Sequence, residues 1–337
     1  MMKILLLSSE RSGSNLLRAM FAAHPALSAP PAPQIARVLA PWAHLYGDLR
    51  EPARQEILVR DALALIKNHP QSWEAMPSVA EVLSGLDSPS FWTIFAGVYS
   101  AYARREGKSG WFSKENNLFD YAFEIRHFLP DAKLLYLARD GRDYALSMRK
   151  MPGGHRHVYL LAKQWQQEQR QCLRIWRQLD QLGQIQLIRY EDLLQRPEDV
   201  LRKACSYLGI DFAAEMLTFH QQDKVRQMAD KSAYWQNLSR PIMQSNFGKY
   251  KQGLSEAEIA LFEKVAGQEL QLLGYPLEGA AGFGDLSPLR QELIRVQDYF
   301  WRRRGRSKQM QEPMRAERAE VIQAIRRRLQ GAAGEQL

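Results

Sequence analysis

One stretch near the start of the chain, Lys3 to Pro25, constrains the fold more than any other. Ile4 to Leu7 form a short apolar run, the pattern of a strand buried on both faces. Small hydroxyl residues and one glycine follow. An amphipathic stretch with Leu16, Leu17, Met20 and Phe21 then ends before Pro25. The order is strand, tight loop, helix. Arg11 and Ser12-Gly13-Ser14-Asn15 fall where the loop meets the helix N-terminus. Unpaired backbone N–H groups and the positive end of the helix dipole favour an anion there. Gly13 allows close approach of a phosphate or sulfate, and Ser14 and Asn15 add donors. A capped helix with no ligand is the plainer alternative.

The loop is not a Walker A motif, which needs Gly, four residues, then Gly-Lys-Ser/Thr. Gly107-Lys108-Ser109 is present, but position 102 is Tyr and no buried strand precedes it. A P-loop kinase dependent on ATP and magnesium is therefore disfavoured.

Further strands are expected at Trp111–Lys114, Lys133–Ala138 and Gln186–Arg189. Helices are expected over about 118–129, 158–182, 198–208 and 255–273, the last opened by a Ser255-x-x-Glu258 capping box. Residues 34–108 read as mainly helical, rich in aromatic side chains and broken by prolines. Strands alternating with helices argue for an α/β fold with a parallel sheet covered on both faces. Ligands then bind at the carboxyl ends of the strands, gathering the loops at 8–15, 114–117, 139–143 and 190–192.

The division expected is a domain over 1–282, containing a helical acceptor-side insert at 34–108, and a basic helical tail over 283–337. The formal charge of +9 is concentrated in that tail: residues 301–330 carry ten Lys/Arg against three Glu. Such a tail offers a surface to an anionic membrane, a nucleic acid or a second subunit; a solvated face packed on the domain is the plainer reading. Cys172 and Cys205 fall in helix-like segments and imply no disulfide framework. The apolar run at the start is too short for a signal-peptide core, so a cytoplasmic setting is the expectation. No spaced His/Cys cluster suggests a metal, and no nucleic-acid partner is expected.

Taken together, the turns resemble those of the PAPS-dependent sulfotransferases, with a first loop most similar to the tyrosylprotein members. Arg11-Ser12-Gly13-Ser14-Asn15-Leu16, continuing through Arg18-Ala19-Met20 to Ala23-His24-Pro25, is similar to their R-S-G-T-T-L, R-A-M and A-H-P. The second signature is Arg139 and Ser147, eight residues apart in L-A-R-D-G-R-D-Y-A-L-S. Arg189-Tyr190-Glu191-Asp192-Leu193 resembles the family's K-Y-E-D-L, and Arg240-Pro241 followed by Gly248-Lys249-Tyr250 resembles its K-P and S-K-W. The matches span about residues 3 to 275.

The resemblance implies a P-loop-NTPase-like sheet and PAPS, 3′-phosphoadenosine-5′-phosphosulfate, as co-substrate. It places the 5′-phosphosulfate on the 11–16 loop, the 3′-phosphate on Arg139 and Ser147, and the adenine near Tyr190. It puts Arg240, Lys249 and the backbone from 234 to 243 in a loop closing over the nucleotide. Arg11 and Lys114 are the implied catalytic cations. The general base departs from the pattern: the Glu that tyrosylprotein members carry twenty-one residues after the loop Arg lands here on Ala32. His44 and Glu115 are the weaker candidates; Glu10 reads equally as a salt bridge. A small molecule or glycan acceptor is favoured over protein tyrosine. A nucleotide-binding module that has lost catalysis is the competing function.

Overall fold

The structure, a computed structural model, describes the chain apart from residues 87, 152–153, 231–235, 280–281, 310–312 and 335–337. In chain order the first half comprises β1 (Met2–Ser8), α1 (Ser14–Ala22), β2 (Leu27–Ser28), α2 (Ile35–Leu39), α3 (Pro52–Lys67), α4 (Val79–Leu83), α5 (Phe91–Arg105), β3 (Gly110–Ser113), α6 (Ala122–Phe128) and β4 (Lys133–Ala138). The second half comprises α7 (Gly141–Met148), α8 (Val158–Asp180), β5 (Ile185–Arg189), α9 (Tyr190–Gln195), α10 (Pro197–Leu208), α11 (Asp223–Asp230), α12 (Tyr250–Gly253), α13 (Glu256–Leu272), α14 (Pro288–Gln309) and α15 (Pro313–Gly334).

The five strands form one sheet in the order β2-β3-β1-β4-β5, every pair parallel. Because β1 is central, its side chains have no solvent face. Leu5 and Leu7 enter the core shared with the helical insert, α8 and α13, while Ile4 and Leu6 enter the core under α1, α9 and α10. That two-sided burial is why the run is uniformly apolar rather than alternating. The four longer strands fall where the sequence pattern predicts them. The fifth, β2, is two residues long and too short to leave a periodic signal. The expected capping box forms: Ser255 Oγ accepts from the Glu258 N–H, and a Glu258 carboxylate oxygen accepts from the Ser255 N–H at 2.9 Å.

Within the insert Trp73 lies 4.5 Å from Tyr102 and 5.1 Å from Tyr99, and Tyr99 meets Trp111 of β3 at 5.2 Å, which joins the insert to the sheet. These aromatics belong to the core. The tail docks at two places. α14 meets the segment leading into α8 through Asp298, with Ile294 buried in the same core, and α15 packs Ile325 and Leu329 against the insert. Arg318 is buried, and its guanidinium donates to the carbonyls of Leu65, at 2.6 Å, and Pro33. Leu65 lies in the last turn of α3, where carbonyls lack helical partners and a cation is favoured. No helix among the described residues is long and apolar enough to cross a membrane.

Candidate active site

Parallel packing brings the carboxyl ends of β1, β4 and β5 side by side, and three loops meet there. The first leaves β1 at Ser8. The Ser9 hydroxyl accepts from Gln169 Nε2 at 2.7 Å, and the Ser12 hydroxyl donates to the Ser9 carbonyl at 2.8 Å. Arg11 (φ 59°) and Gly13 (φ 92°) both take left-handed backbone, which bends the loop onto the start of α1. No side chain caps α1 and its first turn holds no acid. The helix start therefore keeps N–H groups and dipole available to an anion.

The second loop follows β4. Arg139 Nη1 donates to the Arg11 carbonyl at 2.8 Å, its guanidinium lies 4.7 Å from the centre of the Tyr190 ring, and its buried Nε has no hydrogen-bond partner. Arg11 Nε donates to the Ser147 hydroxyl, on α7, at 3.1 Å. A guanidinium with an unpartnered N–H is a donor that suits phosphate oxygens. Arg11, Gly13, Arg139, Ser147 and Tyr190, widely separated in sequence, thus form one cluster.

The space at Gly13 is filled differently from the sequence expectation. A Cβ there would lie 2.2 Å from Cδ2 of Tyr190. The close approach that requires glycine is made by the Tyr190 ring, which sits between the anion loop and Arg139.

The third loop is latched by Asp143. Its carboxylate accepts from the backbone N–H groups of Gly248, at 2.6 Å, and Tyr250, at 2.9 Å. Asn246 Nδ2 donates to the Tyr190 hydroxyl at 2.9 Å. Beneath, the fully buried Arg142 pairs with Asp140 at 2.7 Å and Glu263 at 2.6 Å and stacks on Tyr250. The segment carrying Lys249 is therefore fixed against the cluster, while the Lys249 and Arg240 side chains are exposed. Residues 231–235, part of the expected closing segment, lie outside the described residues.

On the insert side, Lys114 Nζ donates to Asn116 Oδ1 at 2.9 Å, and Asn116 and Arg37 both donate to Glu10 Oε1, at 3.0 and 2.7 Å. Burial pulls the Lys114 pKa down to about 8, with Glu10 acting in the opposite direction. Glu115, a weak candidate base, sits at the entry to the insert. It is buried, and its two oxygens accept from the N–H groups of Ile35 (2.8 Å) and Ala36 (2.7 Å) at the start of α2. It clamps the entry to the insert, and burial pushes its pKa up to about 7. His44 is exposed on the 3-10 turn Ala40–Tyr46. Glu10 forms a salt bridge, to Arg37 of α2 in the insert rather than to the sheet. A cavity of about 320 Å³ opens beside the insert, lined by Arg18, Pro31, Gln71, Trp73 and Tyr102 among others. Gln71 Nε2 is buried without a partner.

Asp143 and Asn246 are the site residues that sequence reasoning passed over. Asp143 stands inside the R-D-G-R-D turn, and only the fold shows that its partner is a loop a hundred residues away.

A model of the "Sulfotransferase family" matches residues 3–214. Among solved structures, the sulfotransferase domain from the Synechococcus PCC 7002 olefin synthase is similar at 20% identity and a TM-score of 0.58, covering 82% of this chain and 95% of that one. The sulfotransferase domain from the curacin biosynthetic pathway is similar at 20% identity and a TM-score of 0.54, covering 82% of this chain and 99% of that one. At that identity they show a shared fold. No curated protein sequence matches the chain.

Proposed function

The chain belongs to the sulfotransferase family, and from that premise we propose that it moves a sulfuryl group from PAPS to a hydroxyl or amine of a small molecule or glycan. The observation that carries the donor half is the cluster itself: an uncapped helix start at Gly13 and Arg139, whose Nη1 donates to the Arg11 carbonyl while its buried Nε has no partner. The helix start, with Ser12, Ser14, Asn15 and Leu16, takes the 5′ end of the nucleotide. Arg139 and Ser147 take the 3′-phosphate, Tyr190 borders the adenine, and Arg240 and Lys249 lie on the loop that closes over it.

Sulfuryl transfer needs alignment and positive charge where the equatorial and leaving oxygens gain electron density. Arg11 and Lys114 supply it. Arg11 stays protonated and acts as an electrostatic stabiliser rather than an acid. A lysine with a pKa near 8 remains mostly cationic at neutral pH. The acceptor oxygen forms its bond to sulfur as the sulfur–oxygen bond to the 5′-phosphate breaks. The acceptor proton leaves to a base, and adenosine 3′,5′-bisphosphate is released.

Ala32 stands where the tyrosylprotein members carry their Glu, which favours an acceptor other than protein tyrosine. The cavity lined by Pro31, Trp73, Tyr102 and Gln71, which also carries Arg18, Glu106 and Lys108 and one unpartnered amide, supports a polar, hydroxylated acceptor. The same missing Glu, with Glu115 occupied at α2, favours the competing reading of a binding module without turnover. Incubating the protein with PAPS and a panel of phenols, sugars and peptides separates them. Sulfated product from a phenol or sugar is expected. Tight nucleotide binding with no transfer to any of them would refute the enzyme.

A further inference from the structure

The inner face of α14 is pinned. Ile294 and Asp298 are buried, and the Asp298 carboxylate accepts from the Arg156 N–H at 2.7 Å and the His157 N–H at 3.3 Å and meets the His155 ring at 2.5 Å. This fixes the rotation of the helix about its axis. Leu289, Leu293, Val296 and Phe300, spaced four, three and four residues apart, then fall on the opposite side. With Tyr299 flanking them, they are between 49% and 74% exposed. A contiguous apolar stripe left in solvent marks an interaction site.

Charge identifies the partner. Arg290, Arg295 and Arg303 are exposed along the same helix. From Tyr299 to Gln311 the sequence carries five Lys/Arg and no acid. A second copy is a poor match. Parallel pairing would stack two strongly basic ends. Antiparallel pairing would lay each against Pro288–Asp298, whose acids Glu292 and Asp298 are balanced by Arg290 and Arg295. We infer that α14 docks the protein on an anionic lipid surface, lying in its plane. Leu289, Leu293, Val296 and Phe300 enter the acyl boundary, Tyr299 sits at headgroup depth, and the arginines meet lipid phosphates. This does not depend on the sulfuryl-transfer reading.

The test is cosedimentation of the full chain with vesicles of phosphatidylglycerol and phosphatidylcholine in equal parts, against pure phosphatidylcholine. Sedimentation with the anionic vesicles alone is expected, weakening as salt is raised. The double variant Leu293→Ser/Phe300→Ser, with an unchanged unfolding midpoint, should bind about tenfold more weakly. Equal sedimentation with both vesicles, none with either, or full binding by the double variant would overturn the inference. A dimer in light scattering that the same substitutions split would overturn it in favour of a second copy.

Discussion

Substituting Gly13→Ala tests the architecture of the anion loop at one atom. The backbone there has φ 92°, and the added Cβ would lie 2.2 Å from the Tyr190 ring. Left-handed backbone costs an L-residue about 1–2 kcal/mol. The ring cannot stay in place at that separation. Its movement breaks the 2.9 Å bond from Asn246, about 1 kcal/mol, and the stacking with Arg139, about 0.5–1 kcal/mol. The sum is roughly 3 kcal/mol, read as the loss of unfolding free energy in urea. The decisive control is the double variant Gly13→Ala/Tyr190→Ala. Removing the ring first leaves the alanine only its backbone strain, so the two costs should fall short of additivity by roughly 1.5 kcal/mol. Strictly additive costs, or a Gly13→Ala loss below about 0.5 kcal/mol, would refute the packing of Tyr190 on Gly13.

Arg11→Ala should abolish sulfuryl transfer and leave adenosine 3′,5′-bisphosphate binding largely intact; wild-type turnover would remove Arg11 from the mechanism. Glu115 binds its proton more tightly in the folded protein, with a pKa raised from 4.5 to about 7. Its contribution to stability therefore falls as pH rises between those values, by up to about 3 kcal/mol at about 1.4 kcal/mol per unit. Glu115→Gln should lack that decline, so the wild-type-minus-variant stability difference should drop across the window; a flat difference would contradict the assignment. Arg318→Met leaves the buried carbonyls of Pro33 and Leu65 without their charged donor, costing about 2–4 kcal/mol in urea unfolding. A loss below 1 kcal/mol would show that α15 does not hold the insert.

Much of the sheet and of its loops was legible in the sequence because local patterns specify them. The apolar run of β1, the glycine of the loop and the Arg139–Ser147 spacing each sit within a dozen residues, and the parallel sheet follows from alternation of elements. What was not legible depends on partners far apart in the chain. Tyr190 on Gly13, Asp143 on Gly248 and Tyr250, and Arg318 on Pro33 and Leu65 join segments that only the folded sheet juxtaposes. Glu115 reads as a free carboxylate in sequence because nothing local announces that α2 begins against it. The docking of α15 on the insert follows the plainer reading of the tail, although the residues it meets were not legible, because a basic amphipathic helix carries the same pattern whether its apolar face meets a domain or a membrane.

The central claim is that two positive sites, at the start of α1 and at Arg139, grip opposite ends of one adenine nucleotide. Isothermal calorimetry of adenosine 3′,5′-bisphosphate against AMP, on the wild type and on Arg139→Ala, tests it most directly. The wild type should prefer the bisphosphate at least about tenfold, and the variant should lose about 1.5–3 kcal/mol of bisphosphate affinity while its AMP affinity holds. Equal affinity of the wild type for the two nucleotides would contradict it.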